Sequence, residues 1–299
     1  MRVIPAHTPY DGSAKPFTIG LHQLDLIDWI EVDELLPVHL AEKARLLKLH
    51  GDRIVVEEEG SQAGQQEVLD LLVEHLPAHF PQVYTRSGNV IRIAGGAEAV
   101  DLDGPAASIL HKAASLVQED LVLMRKDERR GWHLAAASLS FPSSWTLLEK
   151  FGRSMDEIHA PVPDFSAGTR NAGLITRMFD NLRPDRSVYR FNWSLQPDGE
   201  LYHPLASNQK GARYTDRDMV EQTHVRVERQ TLRKLPRTGD ILFTIRIHLD
   251  PLEALKKHPQ SRPLAQAFCR ELAELNADQA NYKGIMAVRE RLIQALEKF

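Results

Sequence analysis

With 299 residues, 42% hydrophobic and 26% charged, the chain has the balance of a globular protein long enough for one large domain or two modest ones. A formal net charge of -4 leaves no basic footprint for nucleic acid. The single cysteine, Cys269, excludes an intrachain disulfide and an all-cysteine zinc or iron-sulfur site, so any metal would rest on His, Asp or Glu or arrive within a cofactor. The first twenty residues lack the apolar run of a signal peptide, and no apolar stretch is long enough for a membrane span. A reduced, cytoplasmic setting without membrane contact is the expectation.

In chain order, Leu24 to His50 reads as short helices broken at Pro37, with Leu36, Leu40, Leu46 and Leu47 as packing positions. Ser61 is a candidate cap for a helix through His79, on which Val68, Leu72 and Leu76 make an apolar stripe. QVYTRSGNVIRI predicts a hairpin around Ser87-Gly88-Asn89. Ala106 to Gln118 is helix-like, and LVLMRK and WHLAAASLSF follow as strands joined by DERRG. Phe141 to Pro163 predicts a loop stiffened by Pro161 and Pro163 that presents His159. Asp164 is a candidate cap for a helix with Leu174, Met178 and Leu182 on one stripe. SVYRFNWSL, HVRVERQTLRKL and DILFTIRIHL then predict three strands, with a turn at Pro236 to Gly239. Two helical runs close the chain, one with Leu264, Phe268, Leu272 and Leu275, the other with Ile285, Val288, Leu292 and Leu296.

Two strands, helices, then three strands predict an α+β fold with a five-stranded antiparallel sheet crossed by helices on one face, the layout of PAS-like domains. The expected division is an N-terminal α/β wrapper over 1–105, a core over 106–250 and C-terminal helices over 251–299, packed as one unit. There is no phosphate-binding loop, HExxH or GxSxG, and Gly95-Gly96 lacks a dinucleotide fingerprint.

Four groups of residues could carry chemistry. His159 could ligate an iron, although for a lone histidine spacing alone favours a capping or core role. On HVRVERQTLRKL, strand alternation puts Arg226, Glu228 and Gln230 on one face and Arg229 with Val225, Val227 and Thr231 on the other. That polar row suits a carboxylate-bearing ligand, or else is a solvated sheet face. On VYRFNWSL, Arg190, Asn192 and Ser194 alternate with Tyr189, Phe191, Trp193 and Leu195, which could wall a flat apolar cofactor or simply pack a sheet. Glu119 and Asp120 could hold a cationic amine, or form a solvated helix end. His133, His203, His224 and His248 have no partner at metal-ligand spacing, which argues against a non-haem metal site.

WIEVDE, QEDL, FPSSWTLLEKFG with IHAPVP, RFNWSL, and VERQTLRKLPRTGDILFTIRIHL occur in order between about Pro16 and Pro251. The series resembles the α-subunit family of haem-dependent oxidative N-demethylases. The resemblance implies a PAS-like domain holding b-type haem, and a monooxygenase that demethylates a small secondary amine such as dimethylamine with O2. It also implies reductase-type partner subunits that carry flavin, an iron-sulfur cluster and folate and draw electrons from NADPH. Carried over by motif, His159 is the proximal haem ligand. Arg190 and Arg229 become candidates for polarising oxygen or pairing with propionates, Glu228 or Asp120 for binding the ammonium and taking its proton, and Trp193, Arg226 and Gln230 for lining the cofactor. Glu228 and Arg229 cannot both face one cavity without a bulge. The same scaffold could serve as a non-catalytic haem-binding sensor.

Overall fold

The computed structural model describes residues 4–96, 99–204, 214 and 220–299. In chain order the strands are β1 (His22–Gln23), β2 (Val55–Glu57), β3 (Tyr84–Ser87), β4 (Val90–Ile93), β5 (Val100–Asp101), β6 (Asp120–Asp127), β7 (Gly131–Ser138), β8 (Val188–Gln196), β9 (His224–Lys234) and β10 (Ile241–Pro251). The α-helices are α1 (Leu36–His50), α2 (Gln62–His79), α3 (Ile109–Ala114), α4 (Leu147–Lys150), α5 (Met155–His159), α6 (Arg170–Asn181), α7 (Ser261–Glu274), α8 (Ala277–Tyr282) and α9 (Arg289–Leu296).

The strands form a mixed α+β fold with two antiparallel sheets. The larger has seven strands in the order β1-β8-β9-β10-β6-β7-β2, and the smaller is β3-β4-β5. The five strands expected from sequence lie contiguously at the centre of the large sheet, and two short strands from the N-terminal region extend its edges. The longest pairing joins β9 to β10 without interruption from His224↔Pro251 to Lys234↔Ile241. It is fixed by a tight turn in which Gly239, at φ 77°, takes a conformation open to glycine, and by a buried hydroxyl pair, Thr231 to Thr244 at 2.6 Å.

Both faces of this sheet are covered, so β6 reads as an apolar run rather than as an alternation. Leu121 and Leu123 join α2 and α3 in one cluster, and Val122 and Met124 face the opposite way, toward α5 and α6. On the same side as α2 but toward the other end of the sheet, Trp193, Leu195, Val225 and Val227 pack against Leu264, Phe268 and Leu272 of α7 and Leu292 of α9. No helix among the described residues is long and apolar enough to cross a membrane.

Several local expectations are corrected. Pro37 lies in the first turn of α1, where its missing N–H costs nothing, so 36–50 is one helix rather than two fragments. The helical signal over 106–118 narrows to α3, capped by Ser108. Asp164 is not a cap. It sits at φ 67°, and Thr169 caps α6, whose buried stripe is Ala172, Ile175 and Phe179. The two C-terminal runs are three helices, because Asn276 starts α8 with a capping box. The stiff loop over 141–163 contains two short helices, each opened by a capping box: Thr146 with Glu149, and Ser154 with Glu157. His159 is therefore the last residue of α5, not a loop residue.

Candidate functional site

The segment from α4 to α6 arches over the sheet face made by alternate residues of β6 to β10, and a cavity of about 280 Å³ lies between them. Its floor carries Val122 and Met124 from β6, Leu232 from β9, and Phe243 and Ile245 from β10; Met155, Ile158, Phe165 and Met178 form the roof. Polar groups gather at the β8–β9 end, where register pairs Arg190 with Gln230, Asn192 with Glu228, and Ser194 with Arg226. All but Arg226 border the cavity.

His159 enters from the roof. Its Nδ1 donates to the Met155 carbonyl oxygen at 2.9 Å, one turn back on the helix. Burial holds the imidazole below its usual range, with Lys150 and Arg190 pushing the same way against the Met155 bond. The ring is accordingly neutral at pH 7, its proton is held on Nδ1, and Nε2 keeps a lone pair. No described residue donates to that Nε2 or accepts from it.

Arg190 lies across the cavity on β8. Burial pulls its guanidinium below the usual arginine range, and nearby Glu228 offsets part of this effect. Its Nε is buried without a hydrogen-bond partner among the described residues. Such a donor, next to a cavity, is a place for an anionic or acceptor group of a ligand. Glu228 is more fully engaged: Asn192 Nδ2 donates to Oε2 at 3.3 Å, Gln230 Nε2 donates to the same oxygen at 2.9 Å, and Arg226 Nε stands 3.7 Å from Oε1.

Backbone strain clusters around this site. The three non-glycine residues with positive φ among those described are Phe17 (60°), Ser144 (63°) and Asp164 (67°). Phe17 and Ser144 border the cavity, and Asp164 precedes Phe165 in its roof. Left-handed backbone at bulky or polar residues is costly, on the order of 1 kcal/mol each, and is concentrated where a site must be held open.

Not every residue expected at the site reaches it. Trp193 borders the cavity, but its indole belongs to the opposite face, where Nε1 donates to Glu271 at 3.2 Å and the ring meets Phe268 edge-on. Arg226 is buried below the cavity, with Nη2 donating to the Phe141 carbonyl at 2.5 Å and Nη1 to that of Leu201 at 3.2 Å. Arg229 obeys strand alternation and points to the other face, donating to the carbonyls of Asp28 and Trp29 and approaching Glu31 to 3.2 Å. Asp120 opens β6 rather than ending a helix; its two carboxylate oxygens accept from the backbone N–H of Ser140 and Phe141, both at 2.8 Å. Glu119 is likewise buried rather than solvated, accepting from the Glu31 N–H at 3.0 Å. Sequence reasoning missed Lys150, Tyr282 and Lys283, which border the cavity from outside the sheet. Nothing in their local pattern marks them, because tertiary packing alone brings the end of α4 and the end of α8 to the cavity.

A neutral imidazole with a free Nε2, a largely apolar chamber and a guanidinium with an unpartnered Nε are the donor set that haem needs: an axial nitrogen, an apolar cavity and a cation for its acidic side chains. The residues fit the group. Comparison with known families agrees: residues 20–293 match the family described as haem-dependent oxidative N-demethylase, alpha subunit-like. The chain belongs to this family. The family's description carries haem dependence, oxidative N-demethylation and the position of one subunit in a multi-subunit enzyme.

Proposed function

We propose that the chain is the haem-binding subunit of an oxidative N-demethylase, that His159 is the axial ligand through Nε2, and that the substrate is a small secondary amine such as dimethylamine. One observation carries this reading: the only imidazole bordering the β6–β10 cavity among the described residues has its proton fixed on Nδ1 by a backbone carbonyl, so Nε2 is free to coordinate. The layout supports the PAS-like reading, since two central strands, helices crossing one face and three further strands follow one another in the chain. On this reading 106–250 is the haem core, with 1–105 as wrapper and 251–299 as closing helices. A non-covalent, b-type haem accords with Cys269 lying in α7, where its Sγ faces the Ile293 carbonyl at 3.7 Å, away from the cavity.

When bound, haem supplies the activation of O2. Around it, Arg190 pairs with a propionate or polarises an oxygen, and Gln230 orients Glu228. The Glu228 carboxylate holds the substrate as an ammonium ion and accepts its proton, freeing the amine. Apolar side chains of roof and floor exclude water. In balance, the methyl group leaves as formaldehyde with one oxygen atom of O2, and two electrons and two protons reduce the other to water. The electrons come from NADPH through reductase-type partner subunits bearing flavin and an iron-sulfur cluster, in the cytoplasm. At about 280 Å³ the cavity lies just below the usual range for small-molecule pockets, about 300–1,000 Å³.

The test is the absorption spectrum of the chain expressed with ample haem supply, beside His159→Ala, followed by formaldehyde release from a panel of methylated amines with a reducing system. A Soret band that shifts or vanishes in His159→Ala supports the ligand; no band in either protein removes haem, and a band unchanged by the substitution moves the ligand elsewhere. Bound haem with no formaldehyde across the panel leaves a non-catalytic haem-binding module.

A further inference from the structure

On the opposite face of the sheet, a broad cleft of about 1,030 Å³ is bordered by the N-terminal segment, the stretch before α1, β8 and β10. Three side chains from remote parts of the chain converge there. His7 Nε2 lies 2.9 Å from Glu31 Oε1 and 3.2 Å from Oε2, and His248 Nε2 lies 2.8 Å from Oε2. The two imidazole rings are 4.8 Å apart at 74°, and each turns its Nε2 toward the carboxylate. One ligand atom from each residue falls within 4.8 Å of the other two. We propose that His7, Glu31 and His248 bind a divalent first-row transition-metal ion, with zinc as the simplest fit.

The chemistry follows from the donor types. Two imidazole nitrogens and one carboxylate oxygen suit Zn²⁺ or Fe²⁺, which bind such atoms at about 2.0–2.2 Å. Ligand atoms around a tetrahedral ion stand roughly 3.3 Å apart. The two His–Glu separations need to open by only a few tenths of an ångström, and the two imidazole nitrogens, which lie within 4.8 Å of each other, draw together around the ion. Three protein ligands leave a fourth position facing the cleft, open to water.

Second contacts hold the ligands in place. Arg229 Nε, 3.2 Å from Glu31 Oε1, fixes the carboxylate while its own Nη atoms are tied to the carbonyls of Asp28 and Trp29. His7 packs on Phe191 with ring centroids 4.6 Å apart. Hydrogen-bonded carboxylates and packed imidazoles are the ordinary outer shell of a metal centre. The cost is the Arg229 charge, which repels a cation and sets the affinity below that of a site with two carboxylates. The ion would clip the N-terminal segment to β10, a closure that no local motif provides.

The site is independent of the haem cavity, and its test does not require turnover. The untagged full chain, stripped with a chelator, is titrated with Zn²⁺ by calorimetry, and thermal melts are recorded with and without the ion. The expected result is one saturable site whose occupation raises Tm, with affinity falling at least tenfold to a hundredfold in both His7→Ala and His248→Ala. His7 is half-exposed near the start of the chain, so His7→Ala tests the site in a folded protein, as circular dichroism would check. The shape-conserving Glu31→Gln gives a second variant with the same expected loss. Absence of saturable binding, or binding unaltered in His7→Ala and Glu31→Gln, overturns the proposal and leaves the cluster as a hydrogen-bonded network.

Discussion

The Nδ1 of His159 donates to the carbonyl oxygen of Met155 at 2.9 Å, which fixes the tautomer of the one imidazole that borders the cavity among the described residues. In the haem-free chain near neutral pH, nitrogen-detected NMR should find this ring uncharged with its proton on Nδ1. A ring protonated on Nε2 would remove the basis for coordination. If His159 is the axial ligand, added imidazole should restore the wild-type spectrum of haem-reconstituted His159→Gly, because it can occupy the vacated space; no restoration would move the ligand elsewhere.

The orientation of that ring depends on a helix of five residues, too short to be stable alone. Its start is secured by Ser154, whose Oγ accepts from the Glu157 N–H at 3.4 Å, and by Glu157, whose Oε2 accepts from the Ser154 N–H at 2.9 Å. Ser154→Ala should cost about 1 kcal/mol, lowering Tm by roughly 2 °C. It should also accelerate haem loss, measured by transfer to an acceptor globin. A stability loss with unchanged haem retention would mean that roof packing, not the cap, positions His159.

Glu228 borders the cavity with two amide donors on Oε2, while Oε1 stands 3.7 Å from Arg226 Nε; on the proposed reading this carboxylate also meets the ammonium of the amine. Glu228→Gln keeps the shape and removes the charge. A charge-assisted hydrogen bond contributes about 1.5–3 kcal/mol, so KM for the amine should rise roughly ten- to a hundredfold while the Soret band stays in place. An unchanged KM would assign Glu228 to holding Arg226, 3.7 Å away.

The sequence pattern carried the sheet well and the arch over it poorly. Alternation along β8 and β9 was sufficient to put Arg190, Asn192, Glu228 and Gln230 on one face and Arg229 on the other, because side-chain period in a strand is independent of tertiary context. Pro161 and Pro163 point to a loop at His159, yet they lie beyond the helix end and leave 155–159 helical. The stronger signals were Thr-x-x-Glu at 146–149 and Ser-x-x-Glu at 154–157, each a helix start. Asp120 looked solvated because a carboxylate beside a helical run usually is, and only the folded backbone shows the two N–H groups it satisfies. The His7, Glu31 and His248 cluster had no local signal at all. Its members are separated by 24 and 217 residues, and the fold alone makes them neighbours.

Buried ionisable groups give the fold a pH dependence whose parts have opposite signs. Burial lowers His39 to about 3 and His75 and His111 to about 4, so these rings stay neutral in the folded chain while the unfolded chain protonates them near 6.5. Between about pH 6.5 and 4 the unfolded state binds more protons, and the stability these groups provide is lost as pH falls. For His111 the shift corresponds to on the order of 3 kcal/mol. Glu271 acts the other way. Burial raises it to about 7, against the Gly12 N–H at 3.0 Å and the Trp193 indole at 3.2 Å, so its contribution is lost as pH rises from 4.5 to 7. Glu119 and Asp120, also raised by burial, share that sign. The decisive measurement is therefore differential, comparing the slope of unfolding free energy against pH between 6.5 and 4.5 for variants and parent. His111→Asn, which can still reach the Ser138 hydroxyl, should shift this slope toward weaker acid destabilisation. Glu271→Gln should shift it the opposite way. Equal slopes in parent and both variants would place the pH response outside these two groups.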